Sequence, residues 1–131
     1  RKDFFVLSGG NYYSMKHLDL YGDVPVVRLS EMYLTRAEAN QRNTTSVGAT
    51  PLSDVNAIRT RAGLPALTAV TLADILKERR LELAFEGQFL PDAKRLQTAV
   101  GTLAWNSAKL ILPIPQREMD VNKQLVQNEG Y

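Results

Sequence analysis

The sequence predicts a mainly α-helical protein with irregular or extended segments at both ends. Three stretches place apolar residues at helical spacing, and each lies between recognisable helix start and stop signals. The residues before and after these stretches carry glycine, proline and short-strand signals instead. We therefore expect three long helices at about 28–42, 51–62 and 72–87.

The first predicted helix is apolar on two sides. Leu29, Tyr33 and Ala37 fall on one arc at helical spacing, whereas Met32 and Ala39 lie on another. Apolar residues on two sides of a helix indicate contact with more than one neighbour. This helix should therefore be packed between other elements.

The second and third helices have clear N-terminal signals. Thr50 stands at the N-cap and Pro51 at the first helical position, where a missing N–H costs nothing. Gly63 stands where a helix commonly ends. Thr71 is followed three residues later by Asp74, a variant of the capping box. Two helices joined by a short loop resemble a tetratricopeptide-like pair, although one copy does not establish a repeat.

The two ends of the chain carry extended-structure signals. The apolar run Phe4–Leu7 stops at the turn signal Gly9-Gly10. Near the other end, Leu110–Pro115 should be extended because each proline disfavours helix at the residue before it. One helical turn is expected near Gln116–Asp120.

Composition excludes several classes of function. Apolar residues make up 44% of the 131-residue chain and charged residues 23%, as in ordinary globular proteins, and the formal charge is only +2. The absence of cysteine excludes disulfides and thiolate sites, and one histidine, His17, is too few for common zinc sites. We expect no cofactor and no metal.

The basic segment Lys77–Arg80 is interleaved with glutamate, so no nucleic-acid partner is expected. Because the chain begins at Arg1, we expect a fragment or processed segment that lacks its targeting information.

A row of glutamates is the strongest candidate for catalytic chemistry. Glu78, Glu82 and Glu86 recur every four residues and share one helix face. Paired carboxylates serve glycoside hydrolysis, but like charges at this spacing repel and need cations nearby. Arg79 falls within the apolar stripe of the same helix, so it should be buried and paired. We favour a structural ion-pair network over a catalytic pair, and expect no enzyme. The predicted network consists of Arg79, Glu82, Glu86, Arg59, Arg61 and Glu38.

Aromatic residues suggest a ligand surface. Tyr12, Tyr13 and Trp105 lie in predicted loops among Asn, Ser and Gly residues. Sugars stack their C–H faces on aromatic rings while amides and hydroxyls bind the sugar hydroxyls. These three residues are the candidate ligand contacts. The alternative is that they anchor loops by partial burial.

Five segments, in order, resemble the SusD/RagB family of outer-membrane nutrient-binding lipoproteins, and in particular its C-terminal portion. The Glu-Arg-Arg-Leu-Glu-Leu-Ala-Phe-Glu-Gly run is the most specific of them. The segments are Val27–Ala39, Val55–Leu64, Glu78–Gly87, Leu112–Glu118 and Gln127–Tyr131. One departure is Phe89, which stands where the family usually has an arginine.

The resemblance implies a fold, a function and a location. It implies one domain over 1–131, with a loop or extended segment at 1–26 and a helical body and tail of tetratricopeptide-like helix pairs at 27–131. It implies non-catalytic binding of an oligosaccharide or other nutrient, which is delivered to a TonB-dependent outer-membrane transporter. It also implies attachment to the outer face of the outer membrane through a lipid anchor that is absent from this chain. The alternative is a helical-repeat module that binds another protein.

Overall fold

The computed structural model describes residues 5–19, 21–23 and 25–131, and within them the fold is mainly helical, as predicted. The chain divides into two compact units, one ending at Glu86 and the other spanning Gly87–Tyr131. Phe4, which opens the predicted apolar run, lies outside the described residues. The elements are β1 (Phe5–Ser8), β2 (Asn11–Ser14), α1 (Leu29–Asn43), α2 (Pro51–Arg61), α3 (Leu72–Glu82), α4 (Phe89–Arg95), a 3₁₀ turn (Ala108–Leu110) and α5 (Gln116–Val121).

The core of the first unit lies where α1 packs against α2 and α3. Its side chains are almost completely shielded from water, and burying an aliphatic side chain of this size contributes roughly 1.5–3 kcal/mol. The core residues are Leu34, Ala37, Val55, Ile58 and Ile75. All three long helices therefore depend on one another for burial of their apolar faces.

The second apolar side of α1 is not covered. Leu29 of the first side, at the first residue of the helix, is 69% exposed, and on the second side Met32 is 44% exposed. Ala39, on the same side, is also exposed. The side that contains Ala37 is buried against α2 and α3, so α1 does contact more than one neighbour, and within the part of the chain that the structure describes the side with Met32 and Ala39 stays exposed.

The helix starts agree with the local signals. The Thr50 side chain accepts a hydrogen bond from the Ser53 N–H at 3.2 Å, and Pro51 is the first residue of α2. At α3 the capping box is complete, because the Asp74 N–H donates to Thr71 Oγ1 and the Thr71 N–H donates to Asp74 Oδ2. These caps satisfy backbone donors that a helix start otherwise leaves without partners.

Helix α3 ends at Glu82, so the prediction that it continues to Gly87 is wrong. The Lys16 ammonium donates to the carbonyl oxygens of both Glu82 and Ala84 at 2.9 Å. Because these carbonyl oxygens accept hydrogen bonds from Lys16, they need no further helical N–H donors, and the helix can end here. The chain then turns through left-handed conformations at Phe85, with φ of 65°, and Gly87, with φ of 76°.

A buried side-chain amide closes the loop between α1 and α2. Asn40 is only 4% exposed. Its Nδ2 donates to the carbonyl oxygens of Val47 at 3.1 Å and Ala49 at 2.9 Å. Its Oδ1 accepts from Thr45 Oγ1 at 2.7 Å and from the Val47 N–H at 3.1 Å. All four hydrogen-bonding positions of this amide are therefore occupied.

Side-chain amides also organise the second unit. Gln127 Oε1 accepts from the Ile114 N–H at 2.8 Å, and Gln127 Nε2 donates to the Ile114 carbonyl at 2.9 Å. Asn128 Nδ2 donates to the Leu112 carbonyl at 2.7 Å. The proline-containing segment is thus held in extended form by the tail, in place of a neighbouring strand.

Replacing Asn40 should destabilise the first unit. Asn40→Ala removes four hydrogen bonds at once, and we expect a loss of about 2–4 kcal/mol in unfolding free energy, measured by urea denaturation. Asn43→Ala is the matched control, because Asn43 lies at the exposed end of the same helix and donates one bond, to the Ala39 carbonyl. Equal stability of the two variants would contradict this role for Asn40.

Candidate functional site

A groove of about 1130 Å³ lies within the first unit, between the segment that follows the β-hairpin and the C-terminal ends of α2 and α3. We call it the helix-end groove. The wall from the segment after the β-hairpin contains Met15, His17, Leu18, Asp19, Gly22, Asp23 and Pro25. The wall from the ends of α2 and α3 contains Arg61, Ala62, Gly63, Leu81, Glu82, Ala84 and Glu86. Phe5, Lys16 and Arg28 complete the lining.

A cluster of ion pairs forms one side of the helix-end groove. Arg28 binds both oxygens of Glu86, with Nε to Oε2 at 2.9 Å and Nη2 to Oε1 at 2.7 Å. Lys16 Nζ reaches the same carboxylate at 2.6 Å. Arg28 Nη1 also lies 3.1 Å from Glu82 Oε1, and Arg61 Nη2 donates to that same oxygen. Two carboxylates are therefore shared among three cations.

The cations keep both carboxylates ionised. Burial is the largest influence on the pKa of Glu82 and acts to raise it, but the hydrogen bonds and charges of Arg61 and Arg28 outweigh burial and lower the pKa below its ordinary value. Burial likewise opposes the shift at Glu86, where Arg28 and Lys16 lower the pKa. Neither carboxyl group has the raised pKa that a general acid requires at neutral pH.

The other members of the predicted network also have charged partners. Arg59 Nη1 donates to Glu78 Oε1 at 2.5 Å. Arg42 binds Glu38 at 2.8 Å, one turn away on α1.

Arg79 is 7% exposed. Its Nη2 lies 3.2 Å from Glu31 Oε1 and its Nη1 lies 3.3 Å from Thr35 Oγ1. Sequence reasoning did not name Glu31, Lys16 or Arg28 as members of this network. Arg28 and Glu31 could have been found from the motif that opens the first family-like segment, but no local signal marks Lys16.

The candidate aromatic contacts lie in different places. Tyr12 and Tyr13 are 74% and 53% exposed. They lie on strand β2, so the prediction of a loop at this point is wrong. The strand forms because Asn11–Ser14 pairs antiparallel with β1. Neighbouring strand residues project to opposite faces, so the two rings point to opposite sides of the hairpin. Trp105 belongs to the second unit and is 36% exposed.

The residues that the structure describes contain neither a candidate metal cluster nor a candidate membrane span. Within the described residues, no group of three or more His, Asp or Glu side chains is arranged to hold a metal ion. Among those same residues, no helix combines the length and apolar character that crossing a membrane requires.

Comparison with known proteins identifies the family. The model of the SusD family matches residues 16–110, so the chain belongs to this family and the resemblance noted in its sequence is confirmed. The chain is 31% identical over 123 residues to the starch-binding protein SusD of Bacteroides thetaiotaomicron, a match that covers 83% of this chain and 22% of that protein. It also resembles the solved structure of surface glycan-binding protein A from Bacteroides uniformis, with a TM-score of 0.61 and 34% identity, over 79% of this chain and 27% of that one. The chain therefore spans about a quarter of the length of these relatives.

Acid should weaken the first unit through Glu82 and Glu86. A carboxylate whose pKa is lowered in the folded state contributes stability above the ordinary glutamate pKa of about 4.3 and loses it as the pH falls through the lowered value. Urea denaturation between about pH 5 and pH 3 should therefore show a falling unfolding free energy. Glu86→Gln should make this decline shallower. The control Glu118→Gln, at an exposed glutamate, should leave it unchanged. A Glu86→Gln variant with the wild-type decline would contradict this assignment.

Arg79 should be required for stability. We expect Arg79→Ala to cost roughly 3–5 kcal/mol in thermal or chemical denaturation, because it leaves a buried polar cluster without its cation. Arg79→Lys should recover only part of the loss, since one ammonium cannot reproduce donation from two guanidinium nitrogens. Lys77→Ala, at an exposed position on the same helix, is the control. An Arg79→Ala variant as stable as Lys77→Ala would show that the guanidinium is dispensable.

Proposed function

We propose that this chain is part of a cell-surface protein that binds glycan nutrients and does not alter them chemically. The observation that carries the proposal is membership of the SusD family, together with two relatives whose names describe starch binding and surface glycan binding. The chain spans only about a quarter of the length of those relatives, and the proposal includes contact of this piece itself with the glycan.

The state of the carboxylates supports binding without catalysis. A glycosidase needs one carboxyl group that is protonated at working pH and a second that acts as nucleophile or base. Glu82 and Glu86 have lowered pKa values and are bound by cations. Their charges therefore serve to hold the chain together at the end of α3, and neither is available to donate a proton.

Exposed aromatic rings are the proposed glycan contacts. Tyr12, Tyr13 and Trp105 each leave a third or more of their surface open to solvent. An aromatic ring offers a flat apolar face to the C–H groups of a sugar, and the tyrosine hydroxyl and indole N–H add polar contacts. Because the two tyrosines point to opposite faces of the hairpin, one glycan chain should engage one of them more strongly than the other.

Membership of the family supports a proposal for location and partner. We infer that the whole protein is attached by lipid to the outer surface of the outer membrane and delivers its ligand to a TonB-dependent transporter. A helical module that binds another polypeptide is the second candidate, favoured by the exposed apolar side of α1 that carries Met32 and Ala39. Capture of a peptide partner without any retention by glycans would favour this alternative.

Affinity electrophoresis tests glycan binding directly. We expect native gels that contain soluble starch, galactomannan or arabinogalactan to slow migration of the chain in at least one case. Trp105→Ala, Tyr12→Ala and Tyr13→Ala should be tested singly, and a lost stacking contact of about 1 kcal/mol weakens Kd roughly fivefold. Tyr131→Ala is the matched control, because Tyr131 is also an exposed tyrosine at 57%. Unretarded migration of the wild-type chain in every gel would overturn the proposal.

A further inference from the structure

The two walls of the helix-end groove differ in whether their carboxylates form ion pairs within the described chain. On the helix side, Glu82 and Glu86 are bound by arginine and lysine side chains. On the opposite wall, Asp19 and Asp23 are exposed, and no cation of the described chain forms an ion pair with either. Asp19 Oδ1 accepts only from the Tyr21 N–H, at 3.0 Å. These two carboxylates are therefore open to accept hydrogen bonds from a ligand.

Arg61 is a donor that lines the same groove as these acceptors. Its side chain is 57% exposed, and one of its nitrogens, Nη2, binds Glu82. A guanidinium carries five N–H donors, so most of them remain directed to solvent. The groove thus offers charged acceptors on one wall and a charged donor on the other.

The described lining of the groove has an excess of negative charge. Among these residues, three cations against four carboxylates leave a formal charge of −1, with His17 counted as neutral. The charged lining residues are Lys16, Arg28, Arg61, Asp19, Asp23, Glu82 and Glu86. Helices α2 and α3 both end here, and the C-terminal end of a helix carries partial negative charge. An anionic ligand would therefore be repelled, apart from its contact with Arg61.

Apolar surface lies between the polar groups. Met15 is 40% exposed, Leu18 59% and Leu81 47%, and all three line the groove. Such surface suits the C–H faces of sugar rings, which alternate with hydroxyl groups along an oligosaccharide. The volume of about 1130 Å³ is slightly above the range of about 300–1,000 Å³ that is usual for small-molecule pockets.

We propose that the helix-end groove binds a neutral, hydroxyl-rich saccharide and discriminates against glycans that carry carboxylate or sulfate groups. Asp19 and Asp23 accept hydrogen bonds from sugar hydroxyls, Arg61 donates to a hydroxyl or ring oxygen, and the apolar side chains contact the ring faces. This inference rests on the proposed glycan-binding function, and it adds a location and a charge selectivity.

The first test compares neutral and acidic probes on the wild-type chain. Affinity electrophoresis should use soluble starch and galactomannan as neutral probes, and polygalacturonate and chondroitin sulfate as acidic ones. We expect retardation by a neutral glycan and none by the acidic pair. Acidic glycans that retard the chain as strongly as the neutral ones would overturn the proposed selectivity.

The second test assigns the site. Asp23→Asn keeps the shape of the side chain and removes its charge, and we expect a roughly tenfold weaker Kd for the neutral glycan, equivalent to about 1.4 kcal/mol. Asp120→Asn is the matched control at an exposed aspartate of the second unit. The Asp19→Asn/Asp23→Asn double variant changes the formal charge of the groove from −1 to +1, so it should gain affinity for polygalacturonate. A variant that was merely unstable would gain nothing.

The outcomes separate this inference from the proposed function. If a neutral glycan retards the wild type and Asp23→Asn equally, the groove proposal is overturned while glycan binding stands. Amide chemical shifts measured on adding that glycan give a second readout. If the shifts change at Tyr12, Tyr13 or Trp105 and not at Ala62 and Leu81, the groove proposal is again overturned while glycan binding stands. If no glycan retards the wild type, both proposals fail together.

Discussion

The arrangement of the first unit depends on the contact of Lys16 and Arg28 with the end of α3. Arg28 bridges Glu82 and Glu86, and the Lys16 ammonium binds Glu86 together with two main-chain carbonyl oxygens. These bonds occur where the helix would otherwise leave carbonyl groups without partners, and where its dipole favours positive charge. One cluster therefore ends the helix, fixes the preceding segment against it and forms one side of the helix-end groove.

This cluster also explains how two glutamate carboxylates are accommodated at the end of α3. Glu82 ends α3 and Glu86 lies in the turn after it, yet both carboxylates contact Arg28, and the shared cations offset the repulsion between the two like charges. Removing one member of such a cluster is costly because the others stay behind without their partners. The same positive charges that lower the pKa values make these carboxyl groups unsuitable as proton donors. The groups that we propose for ligand binding are therefore others, the exposed carboxylates of the groove and the exposed aromatic rings.

Local signals predicted the starts of the helices well and their ends less well. Thr50 and Thr71 act on backbone groups two or three residues away, so the sequence contains both partners of each cap. The end of α3 was predicted too late, because the donor that binds the Glu82 carbonyl is Lys16, 66 residues earlier. The Asn and Ser residues at the ends of strand β2 are typical of turns and therefore predict a loop. The segment is a strand because it pairs with β1.

By itself, the sequence determined the helical class, the three long helices and membership of the SusD family, because periodicity, caps and ordered motifs are properties of neighbouring residues. It also indicated that Arg79 and the glutamates need partners of opposite charge. Which partners they find was decided by the tertiary structure. Glu31 and Arg79 are 48 residues apart in the sequence, and Lys16 and Glu86 are 70 residues apart. At such separations the pattern of charges along the sequence does not show which side chains contact each other. The helix-end groove has the same origin, because its walls come from segments that meet only when the chain has folded.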